Sequence, residues 1–388
     1  MIQDLKKDRL FWASILLGVV LILPLVLLIY MNSMTGSTRG YLTGDFVAHI
    51  KLAEGISLQK MLDLGVPHLL MHLLFHKISG FLSLSMEAIF FCYTIFSVCA
   101  LVIIKIFFLK ENFPRTSWVL AAGMAAISGY LGALDNPLNP LPLYLGVWSP
   151  LVYHSPTTLW LKPFAALFLW NLFRWGDDER KLSVKHKIGL SLILGMATII
   201  KPNFTIAIGP ALLIAVCLKR YHWSILTVFI PAVAILAAQY VITFGAGVDS
   251  KVIFTPGLAW AIYTNSIPLS IFRNIFGAVF LSLYLCFKKE LGFKLQFLWI
   301  LMVVSLLEAV FLAEAGPRFE GMNFGWGYTI TVEFLFLYLL GYCAQLKRSG
   351  SFKIGIFVLF GLHFCYGIFY LFDAEFVRVL KIVFPQVG

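Results

Sequence analysis

The stretch GLSLILGMATIIKPNFTIAIGPALL, residues 189–213, decides what kind of fold this chain adopts. It is apolar almost throughout and is interrupted near its centre by Lys201-Pro202. A proline ends or kinks a helix because it has no backbone N–H and clashes with the preceding turn. The whole run, 188–218, is therefore predicted to form two short apolar helices that meet at a turn, within a membrane rather than in water.

The rest of the chain has the same character. Of its 388 residues, 60% are hydrophobic and only 13% are charged, whereas soluble domains carry about 25% charged residues. The net charge of +11 comes from basic clusters between apolar runs, which is typical of the positive-inside rule. The positive charge therefore predicts a membrane topology and no nucleic-acid partner. The six cysteines show no CxxC spacing, so neither a zinc site nor a disulfide frame is predicted.

The apolar runs predict an all-α, polytopic integral membrane protein of about 11 transmembrane helices, with residues 1–388 forming one transmembrane domain. Besides the run described above, they lie near 10–31, 84–109, 116–133, 157–174, 224–243, 267–286, 295–313, 327–345 and 354–371. With the N-terminus in the cytoplasm, more than half of the 30 lysines and arginines fall on the cytoplasmic side. The opposite side then collects four longer loops, 32–83, 134–156, 244–266 and 314–326.

The first outer loop, 32–83, contains TGDFVAHIKLAEG at residues 43–55. Asp45 and His49 share one face of a short helix that Gly55 is predicted to end. Asp45 is then an outward-facing general base near the membrane surface. The alternative is that Asp45 caps the helix and His49 faces lipid headgroups. Asp135, which opens the second outer loop, is a candidate second acid facing Asp45.

The same loop continues with VPHLLMHLLFHKISG, residues 66–80, which predicts a short amphipathic interfacial helix. His68, His72 and His76 follow one another at helical spacing and share one face, while leucines fill the rest. Three roles remain open for this stripe, namely a divalent metal site, contact with a lipid phosphate, or a polar face without a ligand.

Two lysines, Lys162 and Lys201, each precede a proline near the predicted outer edge of the membrane. Charges at that depth are costly, so such lysines either have a function or extend to the surface. Together they are candidates for holding the phosphate or pyrophosphate of a lipid-linked substrate.

The last outer loop reads EAGPRFEGMNFGWGY, residues 314–328. Arg318 can bind a phosphate or carboxylate through its planar fork, or pair with Glu314 or Glu320. Trp326 and Tyr328 offer flat faces on which a sugar could stack, or they belong to the interfacial aromatic belt.

These features resemble the GT-C glycosyltransferases, polytopic enzymes that use a polyprenyl-phosphate or polyprenyl-diphosphate sugar donor. An acidic residue follows the first transmembrane helix, and VPHLLMHLLFHKISGFL (66–82) is similar to the amphipathic helix after the family's first loop. HSPTTLWLKPFAALFLW (154–170) and residues 189–213 are similar to its middle helices, in which a Lys-Pro or Arg-Pro breaks an apolar run. The resemblance covers roughly residues 1–220.

The resemblance implies that Asp45 deprotonates an acceptor hydroxyl, and that Lys162, Lys201 and Arg318 contact the donor phosphate. The candidate site as a whole comprises Asp45, His49 and Asp135 as catalytic residues, Lys162, Lys201, Arg318, His68 and His72 as phosphate contacts, and Trp326 and Tyr328 as sugar or acceptor contacts. The expected partners are the lipid-linked sugar donor, an envelope glycan or lipid acceptor, and membrane lipids. No cofactor is assigned, and a divalent metal stays possible.

The expected location is a bacterial inner (cytoplasmic) membrane, with the active site on its outer face. One alternative is a polymerase of polysaccharide or O-antigen repeat units, for which Arg318 would matter more than Asp45. An alternative of another class is a transporter or flippase of a lipid-linked substrate. Glu308 and Glu333 are its best candidates near the midplane, but both are predicted nearer the outer ends of their helices, which favours an interfacial site.

Overall fold

The computed structural model describes residues 9–34, 44–57, 59–60, 69–132, 134, 155–175, 182–244, 251–262, 264, 266–321, 323–346 and 351–371. The helices are α1 Arg9–Met34, α2 Gly44–Glu54, α3 Leu69–Leu82, α4 Met86–Asn112, α5 Trp118–Ile127, α6 Pro156–Trp175, α7 Val184–Ile200, α8 Asn203–Cys217, α9 Ile230–Phe244, α10 Leu258–Ala261, α11 Ile267–Phe287, α12 Phe293–Phe311, α13 Gly325–Gln345 and α14 Ser351–Leu371. Short 3-10 turns cover Ser128–Tyr130, Trp223–Phe229 and Gly316–Gly321, and two strands, β1 Val252–Phe254 and β2 Leu312–Glu314, complete the described elements.

The chain is an all-α, multi-pass membrane protein. Within the described residues, six helical segments are long and apolar enough to cross a bilayer, namely those at Arg9–Val26, Met86–Asn112, Trp223–Phe244, Ile267–Phe287, Phe293–Phe311 and Gly325–Gln345. The other predicted crossings coincide with α5, α6, α7, α8 and α14, whose described parts fall short of that length or apolarity. The predicted number of about 11 crossings is therefore not confirmed.

The predicted break at Lys201-Pro202 is confirmed. Helix α7 ends at Ile200, Lys201 is extended, and α8 starts at Asn203. Because Pro202 has no N–H, the carbonyl oxygen of Thr198 loses its usual partner four residues on. The side-chain amide of Gln239 in α9 donates to that oxygen at 2.8 Å, so a neighbouring helix satisfies the broken backbone, as a membrane interior requires.

Helix α13 lies at the centre of the bundle, where every residue from Gly325 to Leu337 is buried. It packs against α12 and α8 and also against α4 and α6. Its N-terminus lies where α6 begins and α7 ends, since residues of these elements are in contact there. We call this end of the bundle the site end.

An antiparallel two-stranded ribbon, not predicted from the sequence, joins two of the predicted loops at the site end. Val252 pairs with Glu314 and Phe254 pairs with Leu312. The ribbon leads into α10, where Trp260 is buried and its ring centre lies 6.2 Å from that of Tyr328.

The structure shows which face of α3 is turned inward, which the sequence left open. His72 is fully buried, whereas Leu70 and Leu74 are exposed. In lipid the apolar face is the one that can be left outside, and a polar side chain is more stable inside with a partner. The helix thus turns Leu70 and Leu74 outward and His72 into the bundle.

Candidate functional site

The centre of the candidate site is Lys201, at the junction between α7 and α8. Its Nζ donates to Thr158 Oγ1 at 3.0 Å and to Ser155 Oγ at 3.4 Å. It also lies 4.5 Å from the ring centre of Trp326, a cation–π contact. All four side chains are buried, so three segments that are distant in the sequence hold one ammonium group at the site end.

Next to this cation, α2 and α3 are joined by two histidines. His49 Nδ1 and His72 Nε2 lie 2.7 Å apart, and the two rings are stacked with centres 4.8 Å apart. One imidazole must donate and the other accept, because a single proton occupies the bond. Helix α2 also packs against α4 and α6.

Burial first and the positive charge of Lys201 second lower the pKa of His49 to about 3. Both effects disfavour the imidazolium form. His49 is therefore neutral at physiological pH and acts as a hydrogen-bonding group. It does not serve as a cationic proton donor, and the positive charge beside it is that of Lys201.

The predicted helix around Asp45 is confirmed, since α2 starts at Gly44 and Gly55 lies in the turn that follows it. Asp45 is its second residue and precedes His49 by one turn, but its side chain lies outside the described part of the structure. His68 and Asp135 also lie outside the described residues. The backbone of Arg318 forms part of the 3-10 turn Gly316–Gly321, and its side chain is outside the description.

The structure does not bring Lys162 and Lys201, the two candidate phosphate contacts, into one environment. Lys162 Nζ lies 2.7 Å from Glu333 Oε2, while Lys105 Nζ contacts Glu333 Oε1 and donates to Ser128 Oγ at 3.0 Å. These three charged residues, which we call the buried triad, tie α4, α6 and α13 together inside the bundle. Neither Lys162 nor Lys201 extends to the surface.

Sequence reasoning overlooked Lys105 and did not pair it with Glu333. Lys105 stands in the apolar stretch CALVIIKIFFLK of α4, and Glu333 is the ninth residue of the 21-residue α13. Each is costly in a membrane unless it is paired. The presence of one cation and one anion inside two apolar helices was the feature that could have predicted their contact.

Both predicted sugar-stacking residues are buried. Trp326 holds Lys201, and Tyr328 packs against Trp260. Neither side chain lies on the surface, where a residue of an interfacial belt would lie. Trp326 thus belongs to the site, while Tyr328 supports it from within.

The loop before α13 is fixed to α8 by amide groups that sequence reasoning overlooked. The side-chain amide of Asn203 donates to the backbone oxygen of Asn323, and that of Asn323 donates to Glu314 Oε2 at 2.8 Å. A Cβ on Gly327 would lie 3.1 Å from the backbone oxygen of Asn203, so glycine permits this close approach. Glu314, one of the two alternative partners considered for Arg318, accepts the hydrogen bond from Asn323.

Among the described residues, no group of three or more histidine, cysteine, aspartate or glutamate side chains is placed to hold a metal ion. No family model matches the chain, and neither a curated protein nor a solved structure is significantly similar to it. What the site can do is therefore inferred from its own chemistry.

Proposed function

We propose that this chain is a membrane glycosyltransferase that moves a sugar from a polyprenyl-phosphate or polyprenyl-diphosphate donor to an envelope glycan or lipid acceptor. The observation that supports it best is the position of α2. This helix carries Asp45 and brings His49 next to the buried cation Lys201. A candidate base and a candidate phosphate-binding group therefore belong to one end of the bundle.

In this proposal Lys201 binds the donor phosphate, with the hydroxyl groups of Ser155 and Thr158 as further donors. A hydrogen bond from a cation to a phosphate is about twice as strong as one between neutral groups. It gains further from a low dielectric. Trp326 keeps the ammonium group in place through its ring.

Asp45 takes the proton of the acceptor hydroxyl while the oxygen forms a bond to the anomeric carbon of the sugar. The bond between that carbon and the donor's phosphate oxygen breaks, and the polyprenyl phosphate or diphosphate leaves with the electron pair. Lys201 stabilises the negative charge that grows on the leaving phosphate. His49, held neutral against His72, keeps α2 in place.

The proposed location is the bacterial inner membrane, with the N-terminus in the cytoplasm and the site end on the outer face. This orientation follows from the distribution of basic residues between the apolar runs. It puts the site where a lipid-borne donor and a water-borne acceptor meet.

The test is a mass spectrum of envelope glycans from a deletion strain complemented with wild type, Asp45→Asn or Glu54→Gln. The amide keeps the size of Asp45 but cannot accept the proton, so we expect one fixed sugar mass to be missing in the deletion strain and with Asp45→Asn. Glu54 is exposed at the other end of α2, and Glu54→Gln should restore the sugar as wild type does. Full activity of Asp45→Asn at wild-type expression would refute the assignment.

Two other outcomes lead to the alternatives. Glycans reduced to single repeat units would indicate a polymerase. Unchanged glycans in every strain would favour a transporter or flippase of a lipid-linked substrate, the second candidate function. The buried triad favours that candidate, because ionisable residues inside a membrane protein often belong to a transport or proton pathway.

A further inference from the structure

The ribbon and α10 have two different sides. Ala259 and Trp260 are buried beneath them, whereas Val252, Phe254, Leu258 and Ile262 are 39%, 71%, 59% and 48% exposed. An apolar cluster of this kind on an extramembrane segment is typical of a surface that another apolar phase covers.

The ribbon is fixed rigidly to the end of a membrane-spanning helix. The backbone N–H of Thr255 donates to the carbonyl of Phe311 at 2.9 Å, and that of Gly257 donates to the carbonyl of Val310 at 2.7 Å. Gly257 has φ +71°, a left-handed conformation that glycine adopts without strain. The ring of Phe254 stacks on that of Phe311 with centres 5.5 Å apart and 6° between the planes.

This stack continues an exposed apolar stripe of α12. Val303 and Leu307 are exposed, and Phe311 follows at the same four-residue spacing, so the three share one helix face. Because α12 qualifies as a membrane span, that face is the one in contact with lipid. Phe254 extends it beyond the last turn of the helix.

We propose that the outward face of the ribbon and α10 is a membrane anchor, inserted at the boundary between lipid headgroups and acyl chains. The partner is bilayer lipid, which the continuity with the lipid-facing stripe of α12 favours over a protein. Aromatic side chains are enriched at this depth because their rings are apolar and fit the interface. Lys251, exposed at the start of the ribbon, extends towards the headgroups.

The buried side of the proposed anchor is connected to the candidate site. Trp260 packs on Tyr328, two residues after Trp326 in α13. An anchor in this position sets the depth of the site end relative to the headgroups. The inference does not depend on the proposed glycosyltransferase activity.

The test is electron paramagnetic resonance of spin labels on the full chain in nanodiscs of phosphatidylcholine and phosphatidylglycerol. Labels are attached at Phe254→Cys, Leu258→Cys, Leu307→Cys and Lys251→Cys, in a chain whose six native cysteines are replaced by alanine. Oxygen, which concentrates in lipid, and a water-soluble nickel chelate each relax the spin label on contact. The ratio of the label's accessibility to oxygen and to nickel therefore reports its depth in the bilayer. A thermal unfolding midpoint equal to that of wild type confirms that each labelled chain is folded.

We expect the oxygen-to-nickel ratio to fall in the order Leu307, then Phe254 and Leu258, then Lys251, with a several-fold difference between Phe254 and Lys251. Nickel accessibility at Phe254 equal to that at Lys251 would place the ribbon in water and overturn the proposal. Protection of Phe254 from both agents would also overturn it, because a protein surface would then cover the ribbon.

Discussion

Lys162 and Lys201 look alike in the sequence, yet the structure gives them different surroundings. Both precede a proline within an apolar run, in LWLKPF and IIKPNF. Lys162 lies within α6, which continues through Pro163, and is paired with a carboxylate. Lys201 lies at a helix break and contacts two hydroxyl groups and an indole ring.

The comparison leads us to expect that the partners of a buried cation, rather than its depth in the membrane, determine its role. Lys162 is fixed in an ion pair, and opening that pair would leave a carboxylate exposed to the low dielectric. The contacts of Lys201 include two hydroxyl groups, which can rotate towards a new neighbour. We therefore predict a structural role for Lys162 and a binding role for Lys201, and the variants below test this difference.

The largest expected effect comes from Glu333→Gln. It removes the carboxylate and leaves Lys105 and Lys162 as buried charges, which costs about 3–5 kcal/mol of stability. The free energy of unfolding in detergent micelles, measured with denaturant, checks this. The triple variant Lys105→Met, Lys162→Met, Glu333→Leu should recover most of the loss, because apolar side chains of similar size need no partner. A free energy of unfolding for Glu333→Gln equal to that of wild type would contradict the structural role given to the ion pair of Lys162.

A smaller change in stability but a clear loss of binding is expected for Lys201→Met. Loss of a cation–π contact and two hydrogen bonds destabilises the fold by about 1–2 kcal/mol. The affinity for polyprenyl phosphate should fall about tenfold, which corresponds to about 1.4 kcal/mol of binding free energy. Calorimetric titration of the purified protein with polyprenyl phosphate measures the affinity. Lys185 is an exposed lysine near the start of α7, and Lys185→Met should bind as wild type does. Weaker binding by Lys162→Met alone would reverse the two roles.

A third expected effect, on stability alone, is a pH dependence at His49. The pKa of His49 in the fold is about 3, whereas the pKa of a histidine in the unfolded chain is about 6.5. As the pH falls from 7 towards 4, the unfolded chain takes up a proton that the folded site does not, so stability falls.

The thermal unfolding midpoint at pH 7 and pH 4.5 checks this for wild type and His49→Gln. Glutamine can still hydrogen-bond to His72 but does not titrate. Wild type should therefore lose more stability than His49→Gln between the two pH values. Equal losses would show that His49 is not kept neutral by the fold.

The features that sequence reasoning predicted are those that a few neighbouring residues determine. Pro202 removes a backbone donor, so the break between α7 and α8 could be placed from the sequence. Gly55 likewise marks the end of α2. The succession of long apolar runs predicted a membrane protein, because such runs are stable in lipid and not when exposed to water.

The missed features depend on partners far away in the chain. Lys105 and Glu333 are separated by 228 residues, and nothing local joins them. Periodicity put His72 and His76 on one face of α3 but could not say which face turns inward. In water an amphipathic helix buries its apolar face, whereas in lipid the apolar face can be the exposed one. The strands of the ribbon are three residues each, too short for a recognisable alternation.

The shortness of α7 and α8 has a consequence for the surrounding bilayer. At 17 and 15 residues, they are about 25 and 22 Å long, whereas the hydrocarbon layer is about 30 Å thick. Both expose apolar side chains, such as Leu192 and Leu213, to lipid. A bilayer thins beside helices shorter than itself, so we expect it to thin around the junction that carries Lys201. Under the proposed function, a lipid-linked phosphate would then reach this lysine by lateral diffusion, at a depth where its own headgroup stays hydrated.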